Sequence, residues 1–208
     1  MLTNFNRGRH VIIMKTKKGD KEKLREKILA DCSSLIQERG ISGSGINAIM
    51  AQIGLTTGAL YSHFSSKDQL IAEVISTRIE VLKQTIWMVR DNQRIPQEKK
   101  LTKWTDAYLS KEHIDSIGSG CVVSALLSDL QKCSKEIQES FLKKIQEFYE
   151  ELRSIYPNPE KTSIQQVMIL FAFLVGALNL LRIHSGGQNT ANLIVLFKKQ
   201  LAHILNEA

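Results

Sequence analysis

The stretch Ile46–Phe64, INAIMAQIGLTTGALYSHF, decides how this 208-residue chain is read. Ile46, Ile49, Met50 and Ile53 recur at one-turn spacing, so residues 46–53 predict a short helix with an apolar face. Gly54 breaks it, and Thr57–His63 predicts a second short helix. Leu55, Leu60 and Phe64 hold that helix against the first, and Ala59 is small where the two approach. Two short helices punctuated by one glycine have the length and form of a helix-turn-helix. The second helix leaves Thr56, Thr57, Gly58, Tyr61, Ser62 and His63 facing outward. Compact polar groups of this kind suit base edges and phosphate oxygens in a major groove. The helix N-terminus adds free N–H groups that favour phosphate.

The flanking sequence has the same character. From Leu24, the positions Leu24, Ile28, Cys32, Leu35 and Ile36 line one helical face, and Gly40 stops that helix in the manner of a C′ glycine. Ser44 or Gly45 is placed to cap the helix at 46. Ser66-Lys67-Asp68-Gln69 reads as a capping box that opens an amphipathic helix over 67–90, about 36 Å long. Lys67 then stands where a backbone phosphate could sit. Further helices are expected at about 98–110, 111–117, 121–131, 134–155, 163–184 and 189–206, and no β-alternation of useful length interrupts them. The class is all-α with about nine helices: an N-terminal three-helix unit with the helix-turn-helix, then a C-terminal helical domain.

From about Leu24 to Glu73 the chain resembles the DNA-binding domain of the tetracycline-repressor (TetR/AcrR) family of bacterial transcriptional regulators. The residues that carry the resemblance are Ile28, the Glu38-Arg39-Gly40 turn, Ile49, Gly54, Gly58, Ala59, Leu60, Tyr61, His63, Phe64, Lys67 and Leu70. The resemblance implies a homodimer that places a recognition helix from each subunit in a palindromic double-stranded DNA operator. It implies also a C-terminal domain that dimerises and senses a small-molecule effector. On this basis Tyr61, His63 and Lys67 resemble phosphate-contacting positions, and Thr56, Thr57 and Ser62 groove-facing ones. Asn47 and Thr57 stand where a basic residue is common in the family. Their neutrality turns attention to the lysines between Lys15 and Lys27 as compensating phosphate contacts.

Charge agrees with a polyanionic partner. The chain carries 28 Lys+Arg against 21 Asp+Glu, a net +7. Residues 1–63 hold ten basic and five acidic side chains, or +5, and the remaining 145 hold eighteen and sixteen, or +2. Residues 1–19 are read as a basic extension, expected to be mobile, with Met14 an alternative start. Residues 20–66 form the DNA-binding domain and 67–208 the effector-binding and dimerisation domain. Cys32, Cys121 and Cys133 have neither zinc-site nor disulfide spacing, so no metal and no cofactor is expected, and a reducing cytoplasm is the natural setting. The apolar run Val167–Leu178 is shorter than the roughly 20 residues of a membrane span. It reads as a core or oligomer-interface helix, with no membrane partner.

The resemblance implies that the C-terminal helices at 163–184 and 189–206 pair with their symmetry mates. Trp87, Trp104, Tyr108, Phe141, Phe148, Phe171 and Phe173 are the aromatic candidates for an effector pocket among the middle helices. Cys121, in the first turn of its helix and preceded by Ser119-Gly120, is a further candidate, because a helix N-terminus lowers a thiol's pKa and glycines expose it. Two triggers therefore stay open, non-covalent ligand binding and redox or electrophile chemistry at Cys121. An enzyme finds no support, since the chain has no Gly-rich phosphate loop, H-E-x-x-H or nucleophile elbow. A helical adaptor that binds no DNA is the third class.

Overall fold

Two glycines in the left-handed region set the path of the N-terminal third: Gly40 at φ +77° and Gly54 at φ +73°. The computed structural model describes residues 18–42, 45–185, 187 and 189–207. Expectations for residues 1–17, including the extension and Met14, and for Ser44 as a cap, lie outside the described residues. The described residues are all-α. Helix α1 (Lys18–Arg39) leads to α2 (Ile46–Gln52), α3 (Thr57–Tyr61) and the long α4 (Lys67–Arg90). They are followed by α5 (Gln97–Tyr108), α6 (Lys111–Asp115), α7 (Val122–Leu130) and α8 (Lys135–Arg153). A 3-10 turn at Pro159–Lys161 precedes α9 (Ile164–Ile183) and α10 (Thr190–Glu207). Ten α-helices replace the expected nine or so, and α1 begins about six residues before Leu24, within the segment read as extension.

Helix α4 is the spine that joins the two halves. Its apolar face (Leu70, Ile71, Val74, Ile75, Ile79, Leu82 and Ile86) is buried, against α1 at its start and α5, α7 and above all α8 further on. Lys83, 8% exposed, sits among charges rather than alone. It pairs with Glu80 at 3.1 Å and Glu147 at 3.5 Å, and Lys144 reaches the same two carboxylates at 3.1 and 3.0 Å. A buried charge left without such partners would be strongly destabilising. Trp87 Nε1 donates to Glu151 at 2.8 Å, which adds a second tie between α4 and α8.

The caps follow the sequence only in part. Ser66 Oγ accepts from Gln69 N at 3.0 Å as expected, but the Gln69 side chain accepts from Ser65 N at 2.5 Å, so the return half of the box is displaced by one residue. A complete capping box stands instead at Ser163 and Gln166, at the start of α9.

Helix α9 spans 20 residues and is, by length and composition, apolar enough to cross a membrane, although its uninterrupted apolar run is shorter. Eight of its residues, from Val167 to Leu181, are buried against the rest of the protein. The opposite face leaves Met168, Ile169, Ala172, Gly176, Leu180 and Ile183 exposed, beside Val195 and Leu196 of α10. A Cβ added to Gly176 would meet nothing within 4 Å.

Candidate nucleic-acid interface and ligand cavity

The turn between α2 and α3 is a Schellman motif, which satisfies the last carbonyls of α2. Leu55 N donates to Met50 O at 2.8 Å and Gly54 N to Ala51 O at 3.2 Å. The positive φ at Gly54 is what this geometry requires. Ile49, Met50, Leu60 and Phe64 are buried beneath the two helices. Arg25 of α1 lies over the Phe64 ring, 4.8 Å from its centroid, and ion-pairs with Glu73 of α4. The helix-turn-helix is thereby clamped between α1 and α4.

What this core leaves outward is polar. Asn47, Thr56, Gly58, Tyr61 and Ser62 are exposed, and Thr57, His63 and Lys67 are half-buried. All eight predicted contact residues thus have solvent access around α2, α3 and the start of α4. Several hydroxyls already have internal partners. Thr56 Oγ1 caps α3 by accepting from Ala59 N at 3.2 Å, so one N–H expected to be free for phosphate is occupied. Ser62 Oγ donates to Ala59 O at 2.7 Å, and Thr57 Oγ1 donates to Asn47 Oδ1 at 2.8 Å. His63 Nδ1 is buried without a partner. Burial lowers this imidazole's pKa, and nearby Lys21 and Arg25 lower it further. The lowered pKa favours the neutral ring at pH 7.

A second set of bonds joins this unit to the helices behind it. Gln37 of α1 is 2% exposed. Its Nε2 donates to Ile117 O at 2.9 Å and Gly120 O at 3.2 Å, and its Oε1 accepts from Arg78 Nε at 2.5 Å. Arg78 Nη2 also donates to Ser119 O, and to Gly120 O at 3.1 Å. Asp129 of α7 accepts from Ile41 N at 2.6 Å, just past the end of α1. Sequence reasoning missed this junction. Gln37 carries no signal of its own, although a glutamine one position from the buried Ile36 is the available hint.

Between α4 and α5 lies a cavity of about 370 Å3 lined by Leu82, Thr85, Met88, Val89, Trp104, Ala107, Tyr108 and His113. Most of its polar groups are internally satisfied, but the buried Tyr108 hydroxyl has no hydrogen-bond partner. Trp104 Nε1 donates to Thr85 Oγ1 at 2.9 Å, and Thr85 Oγ1 donates to Leu82 O at 2.7 Å. His113 Nδ1 bonds Tyr108 O at 2.6 Å, and its Nε2 accepts from Cys121 N at 3.0 Å. Burial lowers the His113 pKa. The pattern fixes a neutral ring with its proton on Nδ1.

The model of the bacterial regulatory proteins of the tetR family matches residues 28–74. YxaF of Bacillus subtilis, an uncharacterized HTH-type transcriptional regulator, is 30% identical over 143 residues, 64% of this chain and 73% of YxaF. The chain belongs to the TetR family. The HTH-type transcriptional repressor DhaR of a Mycobacterium is 25% identical over 120 residues, 58% of this chain and 59% of DhaR. The chain therefore matches less than two thirds of that relative's length. A TetR transcriptional regulator of Chloroflexus aurantiacus has the same fold (TM-score 0.73, 21% identity, covering 89% of this chain and 96% of that one). So does reduced NemR of E. coli (TM-score 0.68, 18% identity, 85% and 96% covered). The relatives named here are regulators rather than enzymes.

In this TetR-family chain, the pocket residues expected from sequence divide sharply. Trp104 and Tyr108 line the cavity. Phe148 and Phe171 do not: they are fully buried and pack on each other with centroids 4.7 Å apart, behind Trp104 and Tyr108. Trp87 turns toward α8, and Phe141 and Phe173 pack on the core from the outside. Cys121 is corrected most. Its sulfur is not exposed but 0% accessible, and burial raises the thiol pKa. The neighbouring glycines mark close packing rather than access. A Cβ on Gly118 would collide with Glu38, and one on Gly120 with Ser116 O. Cys121 caps α7 by accepting from Ser124 N at 3.5 Å.

Proposed function

We propose that the chain is a homodimeric repressor that reads a palindromic DNA operator and is released by a small apolar molecule held between α4 and α5. The observation that carries this reading is the outward polar edge of α2 and α3 over a buried core of Ile49, Met50, Leu60 and Phe64. Such an edge fits a major groove, where Tyr61, His63 and Lys67 take phosphates and Asn47, Thr56, Thr57 and Ser62 face bases. The exposed apolar stripe of α9 and α10 supports pairing with a second copy. Gly176 lies on that stripe, and its missing side chain lets a partner helix approach. Residues 20–66 serve as the reader and 67–208 as the sensor and dimeriser, in the cytoplasm.

A cavity whose polar atoms, the Tyr108 hydroxyl apart, already have partners favours a largely apolar, uncharged ligand, because a charged one would be desolvated without compensation. Ligand in the cavity presses on His113, whose ring holds the Cys121 N–H. The adjoining Gly118–Gly120 segment is bonded to Gln37 and Arg78, so displacement there reaches α1 and the reader. A coupling of about 1–3 kcal/mol is the usual scale for such linkage. Non-covalent binding is favoured over chemistry at Cys121, because that thiol is fully buried.

The test is capture of fragmented genomic DNA from the source organism by the purified protein, followed by sequencing. The proposal expects one or a few palindromic fragments to be enriched. Uniform, sequence-independent recovery would overturn it, and recovery of no DNA at all would overturn it in favour of the adaptor reading.

A further inference from the structure

The bond from Thr57 Oγ1 to Asn47 Oδ1, at 2.8 Å, is the one side-chain bond between α2 and α3 among the described residues. Asn47 is the second residue of α2, fully outward, and Thr57 is the first residue of α3. The rigid Schellman turn fixes the spacing between them. Neither side chain is charged, so the polar part of what they recognise is recognised by hydrogen bonding.

We infer that Asn47 and Thr57 act as one reading unit that selects adenine in the major groove, on the reading that α2 and α3 dock there. With the Thr57 hydroxyl committed to Asn47, the Asn47 amide keeps free N–H donors and Thr57 Oγ1 keeps lone pairs. The free donor is then on the same amide whose oxygen the free acceptor, Thr57 Oγ1, touches at 2.8 Å. Turning the amide over exchanges the roles, with Asn47 Oδ1 accepting and the Thr57 hydroxyl donating, and the pair still presents one of each. Adenine offers the complement on a single base, an N7 acceptor beside an N6 donor. Guanine offers two acceptors, N7 and O6, and leaves the acceptor of the pair facing a lone pair. A lone asparagine can turn its amide and is held only by its own rotamer. Coupling to Thr57 limits that freedom before DNA arrives, so less ordering is left for the binding step.

The experiment selects bound sites from a library of synthetic duplexes with a randomised central region, using wild type, Thr57→Val and Thr57→Ser. Adenine-to-guanine exchanges are then measured at each enriched position. Valine keeps the shape of threonine and removes the hydroxyl, whereas serine keeps the hydroxyl. Circular dichroism checks that all three fold alike. The expected result is an adenine in each half-site preferred about five- to a hundredfold over guanine by wild type and Thr57→Ser. In Thr57→Val that preference should collapse at that position while overall binding persists. A wild type that enriches a site but keeps the same adenine preference in Thr57→Val overturns the inference and leaves DNA reading intact. A wild type that enriches no site at all overturns both.

Discussion

Gln37→Leu tests the junction between the helix-turn-helix unit and the helices behind it. The buried glutamine makes two donations to loop carbonyls and accepts from Arg78. Leucine fills similar space and removes all three bonds. Gly120 O keeps Arg78 as a donor and Ile117 O keeps Gly120 N at 3.3 Å, so the group left without a partner is Arg78 Nε. An unsatisfied buried group costs about 1–3 kcal/mol, more when charged, and leucine's added burial offsets part of the loss. The net loss is about 1.5–3 kcal/mol. At about 2–4 °C per kcal/mol for a chain of this size, the midpoint of thermal unfolding should fall by roughly 3–12 °C. Gln84→Leu, on the exposed face of α4, is the control and should stay within about 0.5 kcal/mol. Differential scanning calorimetry of both variants at pH 7.5 makes the comparison. A Gln37→Leu midpoint within a degree or two of wild type would refute the assignment of Gln37 as the junction.

Three further outcomes follow from the same contacts. Gly40→Ala should destabilise by about 2–4 kcal/mol, since it strains a left-handed residue and brings a Cβ 2.5 Å from the Asp129 oxygen that holds Ile41 N. Gly54→Ala meets nothing within 4 Å and should cost only the backbone strain, about 1 kcal/mol, so equal losses in urea titrations would contradict this account. His113 has a folded pKa below its ordinary 6.5, so its native state binds fewer protons than the unfolded chain. Its contribution is complete above about pH 6.5 and is lost as the pH falls toward the folded value. His113→Gln should therefore show a smaller drop in melting temperature between pH 7.5 and 5.5 than wild type, and an unchanged drop would count against the buried neutral ring. Ile169→Glu with Ile183→Glu, at positions 62% and 78% exposed, should halve the mass seen by light scattering without loss of helicity. A wild type that already runs as a monomer would remove the proposed interface.

The helix-turn-helix was legible in the sequence because its decisive features are local. Gly40 and Gly54, read as the stops of their helices, take positive φ, and the one-turn spacing of Ile46, Ile49, Met50 and Ile53 contains the buried Ile49 and Met50. The start of α1 was less legible, because Lys18–Lys23 carries no apolar period and its helix is an extension of the Leu24 stripe. The C-terminal part was legible as helices but not as a cavity. Which of Trp104, Tyr108, Phe148 and Phe171 faces a void depends on how α4, α5, α8 and α9 cross, and helical spacing does not encode that crossing. Cys121 failed for a related reason. Gly118 and Gly120 looked like openness in one dimension, yet they are small because Glu38 and the Ser116 carbonyl pack against them.

The central claim is that α2, α3 and the start of α4 read DNA. Fluorescence anisotropy against a duplex recovered from genomic selection, repeated across salt concentrations for wild type and Lys67→Gln, tests it most directly. The account predicts a steep fall of log K with log salt for wild type, and a slope about 0.9 shallower for each phosphate contact removed by the substitution. Tyr61→Ala, at a side chain 52% exposed, should weaken binding severely while the fold is kept. Wild-type affinity and slope in both variants would contradict the claim.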